Sequence, residues 1–225
     1  MRLVSIVMPV LDDRDAARRL LAQISPDSDV DILVVDGGAD PSLEDAARAH
    51  PCARYLRARP GRAAQMNAGA EVATGEWLLF LHADSELPPG WTGAVAALRT
   101  PIIGGWFQFA LDDAAWQARA IERMVGWRVR WLRLPYGDQG LIVRRDAFRA
   151  LGGFRDLPLM EDVEFVRRLI RAGEVGEVPL PLRTSARRWR RDGWFRRSTR
   201  NTVLVALYLL GVPPARLATW YHRRR

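Results

Sequence analysis

Two apolar runs near the N-terminus, residues 3–10 and 31–35, are each cut off by polar or flexible residues: Asp12 closes the first, and Asp36, Gly37 and Gly38 close the second. Short, continuous apolar runs of this kind read as buried strands. Between them, residues 12–24 carry acids early and Leu20, Leu21 and Ile24 at helical spacing, which predicts a helix. Residues 41–50 predict a second helix, with Asp40 as its cap and Pro41 in its first turn. A β-α-β-α order requires parallel strands joined by crossover helices, since parallel neighbours cannot be linked by a tight turn. It places a ligand crevice outside the carboxyl ends of the strands, so the residues that end each run are the first candidates for chemistry.

The pattern continues with a short strand at 55–57, a helix over 62–73 behind Pro60 and Gly61, and an apolar strand at 77–81 that runs straight into His82, Ala83 and Asp84. The second half is less regular: a strand near 106–109, a helix over about 112–134, a strand at 140–143, and helices near Asp146 and Glu161. In the long helix Trp116, Ala120, Met124, Trp127, Trp131 and Leu134 form one apolar stripe, flanked by Arg119, Arg123, Arg130 and Arg133. The first reading is a core-packing helix with solvated arginines. The second is a helix lying in a membrane interface, which the density of tryptophan supports.

A chain of 225 residues suits one α/β domain with a full core. All 34 positive side chains are arginine, so mechanisms that need a lysine Schiff base, pyridoxal phosphate chemistry among them, are excluded. The lone Cys52 has no partner for an internal disulfide, a CxxC redox pair or a thiolate zinc site. A reducing, cytoplasmic location is expected. The N-terminal apolar run is too short for a secretion signal, and residues 203–212 are about half the roughly 20 residues a spanning helix needs. The net charge of +8 is uneven, because from Arg183 onward 12 arginines face the single acid Asp192. That basic tail suggests peripheral contact with an anionic membrane through Phe195, Leu204, Leu207 and Tyr208. Nucleic acid is not expected, since no recognised binding module accompanies the charge.

Four clusters can carry chemistry. Asp36, at a strand end beside two glycines, suits a contact to a base or ribose, or simply caps a turn. His82 and Asp84, at alternate positions just past a strand, would face the same way in extended backbone and could share one divalent cation, or else cap and pack. The histidine would favour Mn over Mg. Glu161 and Asp162 open a helix, where a carboxylate is stabilised as an anion and can act as a general base, or serve only as a cap. Arg187, Arg188 and Trp189 combine phosphate donors with an aromatic face, or form a solvated patch.

The order of these segments is more specific than any one of them: SIVMPVLD at 5–12, VVDGG at 34–38, GRAAQMNAG at 61–69, LHADS at 81–85, GDQG at 137–140, MED at 160–162, and Arg188-Trp189. Together they resemble the family 2 inverting glycosyltransferases of GT-A fold, over nearly the whole chain. Within that family the chain is similar to a compact branch named for arsenosugar biosynthesis. The resemblance implies a single Rossmann-like domain over 1–190, with a nucleotide-binding half to about residue 100 and an acceptor half beyond it, followed by a basic, helical extension at 191–225 packed on the domain or on a membrane. It implies that Pro9, Asp36, Arg62, Asn67, Asp84 and Arg188 hold the nucleotide sugar. Asp84 matches the last acid of the DxD metal motif, with His82 where the first acid is usual. Asp162 matches the catalytic base, and Asp138, Gln139, Glu161 and Trp189 lie on the acceptor side. Ser185 stands where the QxxRW motif has glutamine, which speaks against processive synthesis.

The implied reaction moves a sugar from a nucleotide diphosphate, a UDP-sugar being the expected donor, to a hydroxyl acceptor with inversion, assisted by Mn or Mg. Two other classes remain at this point. A nucleotidyltransferase would release pyrophosphate from a nucleoside triphosphate, and a peripheral membrane-binding protein would have no catalysis at all.

Overall fold

The computed structural model describes residues 2–11, 13–26, 29–38 and 41–222. The expected cap Asp40 and the acid Asp12 lie outside the described residues. Four strands, β1 (Val4–Val10), β2 (Val30–Asp36), β3 (Ala53–Arg57) and β4 (Trp77–Phe80), run parallel in the spatial order β3-β2-β1-β4. They are joined by helices α1 (Arg14–Gln23), α2 (Pro41–Arg48) and α3 (Arg62–Val72). This is the crossover arrangement anticipated from the alternation of apolar runs and helical segments.

Beyond β4 the sheet becomes mixed. A two-residue strand β5 (Ser85–Glu86) and helix α4 (Trp91–Ala96) precede the long β6 (Ile102–Leu111), and helix α5 (Trp116–Leu132) leads to β7 (Leu141–Arg144). β7 runs antiparallel to both β4 and β6. After α6 (Arg145–Ala150) and α7 (Glu161–Ala172) comes β8 (Glu174–Thr184), parallel to β6 and antiparallel to β5, which completes the order β3-β2-β1-β4-β7-β6-β8-β5. β8 escaped the sequence reading because Pro179 and Pro181 argue against a strand interior. Both are accommodated. On one side β5 reaches only Arg183 and Thr184, and on the other a register irregularity between Phe107 and Gln108 of β6 coincides with the prolines.

The strands are apolar throughout because both faces are covered, and the pleat divides them between two cores. Ile6, Met8, Val34 and Leu79 pack toward α1 and α2 with Leu20, Leu21 and Leu43. Val7, Leu33, Leu78 and Phe80 pack on the opposite face with Met66 of α3 and with Phe148, Phe154 and Phe165.

The long helix does not sit as a core-packing stripe would. Ala118, Ile121 and Val129 are its buried residues, whereas Trp116, Trp127 and Trp131 are 66%, 73% and 76% exposed, with Met124 and Leu132 also exposed. The core-facing edge is small and aliphatic, so the tryptophan stripe that dominated the pattern points outward. The helix also stops at Leu132, and Arg133 takes a left-handed conformation (φ 48°), so Leu134 turns inward from the loop beyond.

The basic tail folds as α8 (Arg187–Asp192), α9 (Trp194–Leu209) and α10 (Pro214–His222). Leu204, Val205 and Leu217 pack against Leu134, Met160 and Val163, with Leu207 and Tyr208 partly buried beside them. Of the four tail residues expected to meet a membrane, only Phe195 is exposed, its ring 5.8 Å from that of Trp116. Among the described residues no helix is long and apolar enough to cross a membrane.

Helix α3 approaches the sheet closely at Gly69, where an added Cβ would lie 2.5 Å from Val7 Cγ1 and 2.9 Å from Val35 Cγ2, both on the sheet's central strands. Gly69→Ala is expected to destabilise the fold by about 1–3 kcal/mol through overpacking, measured as a lower midpoint of urea unfolding.

Candidate functional site

The carboxyl ends of β1 and β4 open into a crevice with two lobes. The first lobe is lined by Pro9, Gly61, Gln65 and Pro158, the second by Tyr136, Gly137, Asp138, Asp162 and Trp189, and both by Arg62, His82, Asp84, Glu161, Arg188 and Tyr221. Its walls come from all parts of the chain, and a few backbone contacts hold them together.

His82 and Asp84 follow β4, but not in extended backbone as their alternate spacing suggested. The Ser85 amide donates to the His82 carbonyl at 3.1 Å, which makes the segment a turn, and both side chains still line the crevice. The short pairing of β5 with β8 then fastens this turn to the start of the basic tail: Ser85 is in register with Thr184, and the Ser185 amide donates to the Asp84 carbonyl at 3.1 Å. Arg188 and Trp189 are thereby set opposite Asp84. Asp112 fixes the same corner by accepting from the Ala186 amide at 2.6 Å.

On the facing wall, Met160 occupies the left-handed region (φ 70°), uncommon for a side chain of its size, and the chain turns there directly into α7. The turn aims Glu161 and Asp162 at the crevice. Asp162 accepts the Val163 amide through Oδ1 at 2.8 Å and the Gly137 amide through Oδ2 at 2.7 Å. A Cβ at Gly137 would fit tightly, 3.0 Å from Asp162 Oδ2 and 3.4 Å from His82 Nε2. Glu161 is buried and pairs with Arg62, whose Nη1 donates to Oε1 at 3.3 Å. Burial raises the Glu161 pKa above the usual carboxylate range, with Arg62 opposing and Asp162 reinforcing the shift. Burial works against the charge on Arg62, but Glu161 and Asp162 outweigh it and hold that pKa above its ordinary value.

Charge at the centre of the crevice is incompletely paired. Burial, then the positive charge of Arg62, pushes His82 down to about 3, so its imidazole is neutral at physiological pH. Burial pushes the Asp138 carboxyl up to about 6 despite Arg128, with Asp162 and Asp84 adding to the rise, and Asp138 Oδ1 is a buried oxygen without a hydrogen-bond partner. Neither the Asp84 carboxylate, the His82 ring nor the Arg188 guanidinium has a hydrogen bond or ion pair to the described residues. Among those residues no group of three or more His, Cys, Asp or Glu forms a preformed metal cage. A free carboxylate and a neutral imidazole nevertheless suit a hard cation that draws its other ligands from phosphate and water.

Several residues singled out from the sequence are engaged elsewhere. Asp36 does not line the crevice with Asp84 and Asp162. It is buried, accepting from the Gly38 amide at 2.7 Å and from Tyr55 Oη at 2.9 Å, and burial together with this bond pushes the tyrosine up to about 12. Asn67 clasps the loop before α7, donating to the Phe154 carbonyl at 2.8 Å and accepting its amide at 2.9 Å. Gln139 faces inward. Its Oε1 accepts from the Tyr136 amide and from Arg128, both at 3.3 Å, and its Nε2 donates to the Phe107 carbonyl at 3.2 Å. All three hold backbone in place near the crevice rather than line it.

Other lining residues had gone unnoticed in the sequence. Arg197 and Asn201 of α9, and Tyr221 of α10, reach the crevice from the basic tail. Arg197 is buried, pairs with Asp192 at 2.8 Å and lies 5.1 Å over the Trp189 ring, and its Nε has no partner. The only available signal was spacing: Arg197, Asn201, Leu204 and Val205 share one helical face with polar residues at one end and apolar at the other.

Residues 5–99 match the family described as Glycosyl transferase family 2. An uncharacterized protein of Mycobacterium tuberculosis (strain CDC 1551 / Oshkosh) is 28% identical, the match covering 80% of this chain and 66% of that protein. Among solved structures, a mannosyltransferase from Pyrobaculum calidifontis, in complex with GDP-Man and Mn2+, superposes with a TM-score of 0.62 at 20% identity, over 81% of this chain and 57% of its own. Glucosyl-3-phosphoglycerate synthase from Mycobacterium tuberculosis, in complex with Mn2+, UDP and glucosyl-3-phosphoglycerate, gives 0.57 at 18% identity, over 81% and 71%. The chain thus spans less than two thirds of two of these three relatives. Over residues 5–99 it is similar to glycosyl transferase family 2, and its fold is the GT-A fold of the two solved enzymes.

Proposed function

We propose that this protein is an inverting glycosyltransferase that moves a sugar from a nucleotide-diphosphate donor to a hydroxyl acceptor, with Asp162 as general base. The observation that carries the reading is the meeting, in one crevice, of a backbone-held carboxylate (Asp162), a free carboxylate with a neutral imidazole (Asp84, His82) and an unpaired guanidinium (Arg188). The match of residues 5–99 to family 2 supports it.

The donor belongs in the lobe of Pro9, Gly61, Arg62 and Gln65, at the strand ends where α/β sheets place their ligands. Arg188 has donors to spare for the diphosphate and stabilises the charge that develops as it leaves. Asp84 and His82 would hold a divalent ion, Mn or Mg, which supplies Lewis-acid stabilisation of the same leaving group. Asp36 serves this lobe indirectly, by shaping the loop after β2. On the other side, Asp162 accepts the proton of the acceptor hydroxyl as that oxygen attacks the anomeric carbon from the face opposite the diphosphate. The two amides on Asp162 fix the direction of its remaining lone pairs. Glu161 is tied to Arg62 and positions it, and Trp189 offers an aromatic wall for the acceptor.

Asp162→Asn can keep only one of the two amide contacts, through its single oxygen, and removes the base. Release of nucleoside diphosphate in the presence of acceptor is expected to fall by about 10²–10⁴-fold, while donor binding, read by calorimetry, stays within a few-fold of wild type. Retention of most activity refutes the assignment. Release of pyrophosphate from a nucleoside triphosphate would instead mark a nucleotidyltransferase.

Chelator treatment is expected to abolish turnover, and added Mn or Mg to restore it. Full activity in excess chelator rules out the metal. The outward tryptophans of α5 and the arginines beside them further suggest peripheral attachment to an anionic surface. Flotation with phosphatidylglycerol vesicles at low salt is expected to carry the protein upward, and Trp127→Ser with Trp131→Ser to leave it at the bottom.

A further inference from the structure

The floor of the acceptor lobe continues into a second space that the reaction as described does not use. Between helices α5 and α9, which touch one another, lies a groove of about 380 Å³. Met124, Val125 and Leu132 form its α5 wall, and Val205, Ala206 and Leu209 its α9 wall. At its inner end it shares Tyr136, Asp138, Trp189, Asn201 and Val205 with the crevice, so the two spaces adjoin across these side chains. Polarity changes along this path. The outer walls are aliphatic and sulfur-bearing, and the polar groups Tyr136, Asp138 and Asn201 stand where the groove meets the carboxylates.

A polar acceptor needs only the crevice. An apolar groove of this volume, opening to solvent beside the exposed rings of Trp127 and Trp131, is costly to leave facing water, and contiguous apolar surface of this kind usually marks a binding region. Its continuity with the base identifies the occupant. A molecule with its hydroxyl at Asp162 and a hydrocarbon chain attached behind it would run from the polar end into the aliphatic one. Arg130 and Arg133, exposed elsewhere on α5 and at its end, complement the anionic surface from which such a molecule would be drawn.

We propose that the acceptor is a membrane amphiphile whose hydrocarbon chain lies in the α5–α9 groove while its hydroxyl-bearing head reaches Asp162. The assignment rests on the glycosyl-transfer reading for the word acceptor, but the groove can be tested without turnover. Alkyl β-glucosides with chains from butyl to octyl, below their micelle concentrations, serve as probes in calorimetric titrations. The dissociation constant is expected to fall by about fourfold for each methylene that enters the groove.

Ala206 is exposed on α9 and lines the groove but not the crevice, so Ala206→Trp fills the groove while the side chains assigned to the reaction stay in place. In this variant the dependence on chain length is expected to vanish, with butyl and octyl glucosides binding within twofold of one another, while the thermal shift caused by nucleoside diphosphate with Mn is unchanged. Leu209→Asp, on the same wall, is expected to act likewise and guards against a folding defect in the first variant. Equal affinity for butyl and octyl glucosides in the wild type overturns the proposal, as does a chain-length dependence that survives both substitutions. A nucleotide shift without chain-length dependence defeats the groove assignment and spares the transferase. Chain-length dependence without a nucleotide shift defeats the transferase reading instead, and with it the identification of the occupant as an acceptor.

Discussion

Asp162 is held at each carboxylate oxygen by a backbone amide, one from its own helix and one from Gly137 on a separate segment. The arrangement of the crevice depends on that clamp. It ties the start of α7 to the loop after α5, which is itself pinned by Gln139 and by Arg128, whose guanidinium lies 3.4 Å over the Tyr136 ring. A side chain at 137 would crowd this clamp, since its Cβ would lie 3.0 Å from Asp162 Oδ2 and 3.4 Å from His82 Nε2. A charge-assisted pair of hydrogen bonds is short and directional, so the clamp sets orientation as well as position.

The opposite wall is fixed by an equally local device. β5 is only two residues long, yet its pairing with the end of β8 decides that the turn bearing His82 and Asp84 meets the helix bearing Arg188 and Trp189. Asp162 stands on one wall and His82, Asp84 and Arg188 on the other, and backbone hydrogen bonds hold each wall in place. This explains how charged groups can stay unpaired in a half-buried crevice: the energy that would otherwise drive them to collapse together is opposed by a rigid main chain. Arg62 and Glu161 are the exception, since they pair with one another: Glu161 holds the Arg62 pKa up, and Arg62 opposes the rise that burial imposes on Glu161.

The first eighty residues were readable because their signals are local; β5 and α4, just beyond them, were not read. Apolar runs, helical spacing and abrupt polar stops identify strand, helix and strand end without knowledge of the rest of the chain, and the elements fall close to where these patterns place them. The polar residues after β4 and at the start of α7 were conspicuous for the same reason. Asp36, Asn67 and Gln139 look equally conspicuous in sequence, yet their side chains are satisfied by a tyrosine, a loop peptide and a buried carbonyl that lie 19, 87 and 32 positions away. Partners at such separations leave no trace in spacing. The same is true of Arg197 and Tyr221, which enter the crevice only because the tail folds back over Met160 and Leu134.

The amino-acid sequence by itself determined the order of strands and helices up to β4, the absence of lysine and the lone thiol, and the set of carboxylates standing at the ends of buried segments. The tertiary structure alone decided which face of α5 is covered. A helix whose one face is rich in tryptophan and whose other is only alanine, isoleucine and valine presents two candidate core faces, and the hydrophobic pattern favours the wrong one. Ala118 and Ile121 fill the space against Phe109, Leu111 and Trp189, and the indoles stand outside that contact, because protein interiors are packed at near-crystalline density. That steric choice turned the rings outward and opened the groove beside them, and no periodicity could have shown it, since it depends on the shape of what the helix packs against.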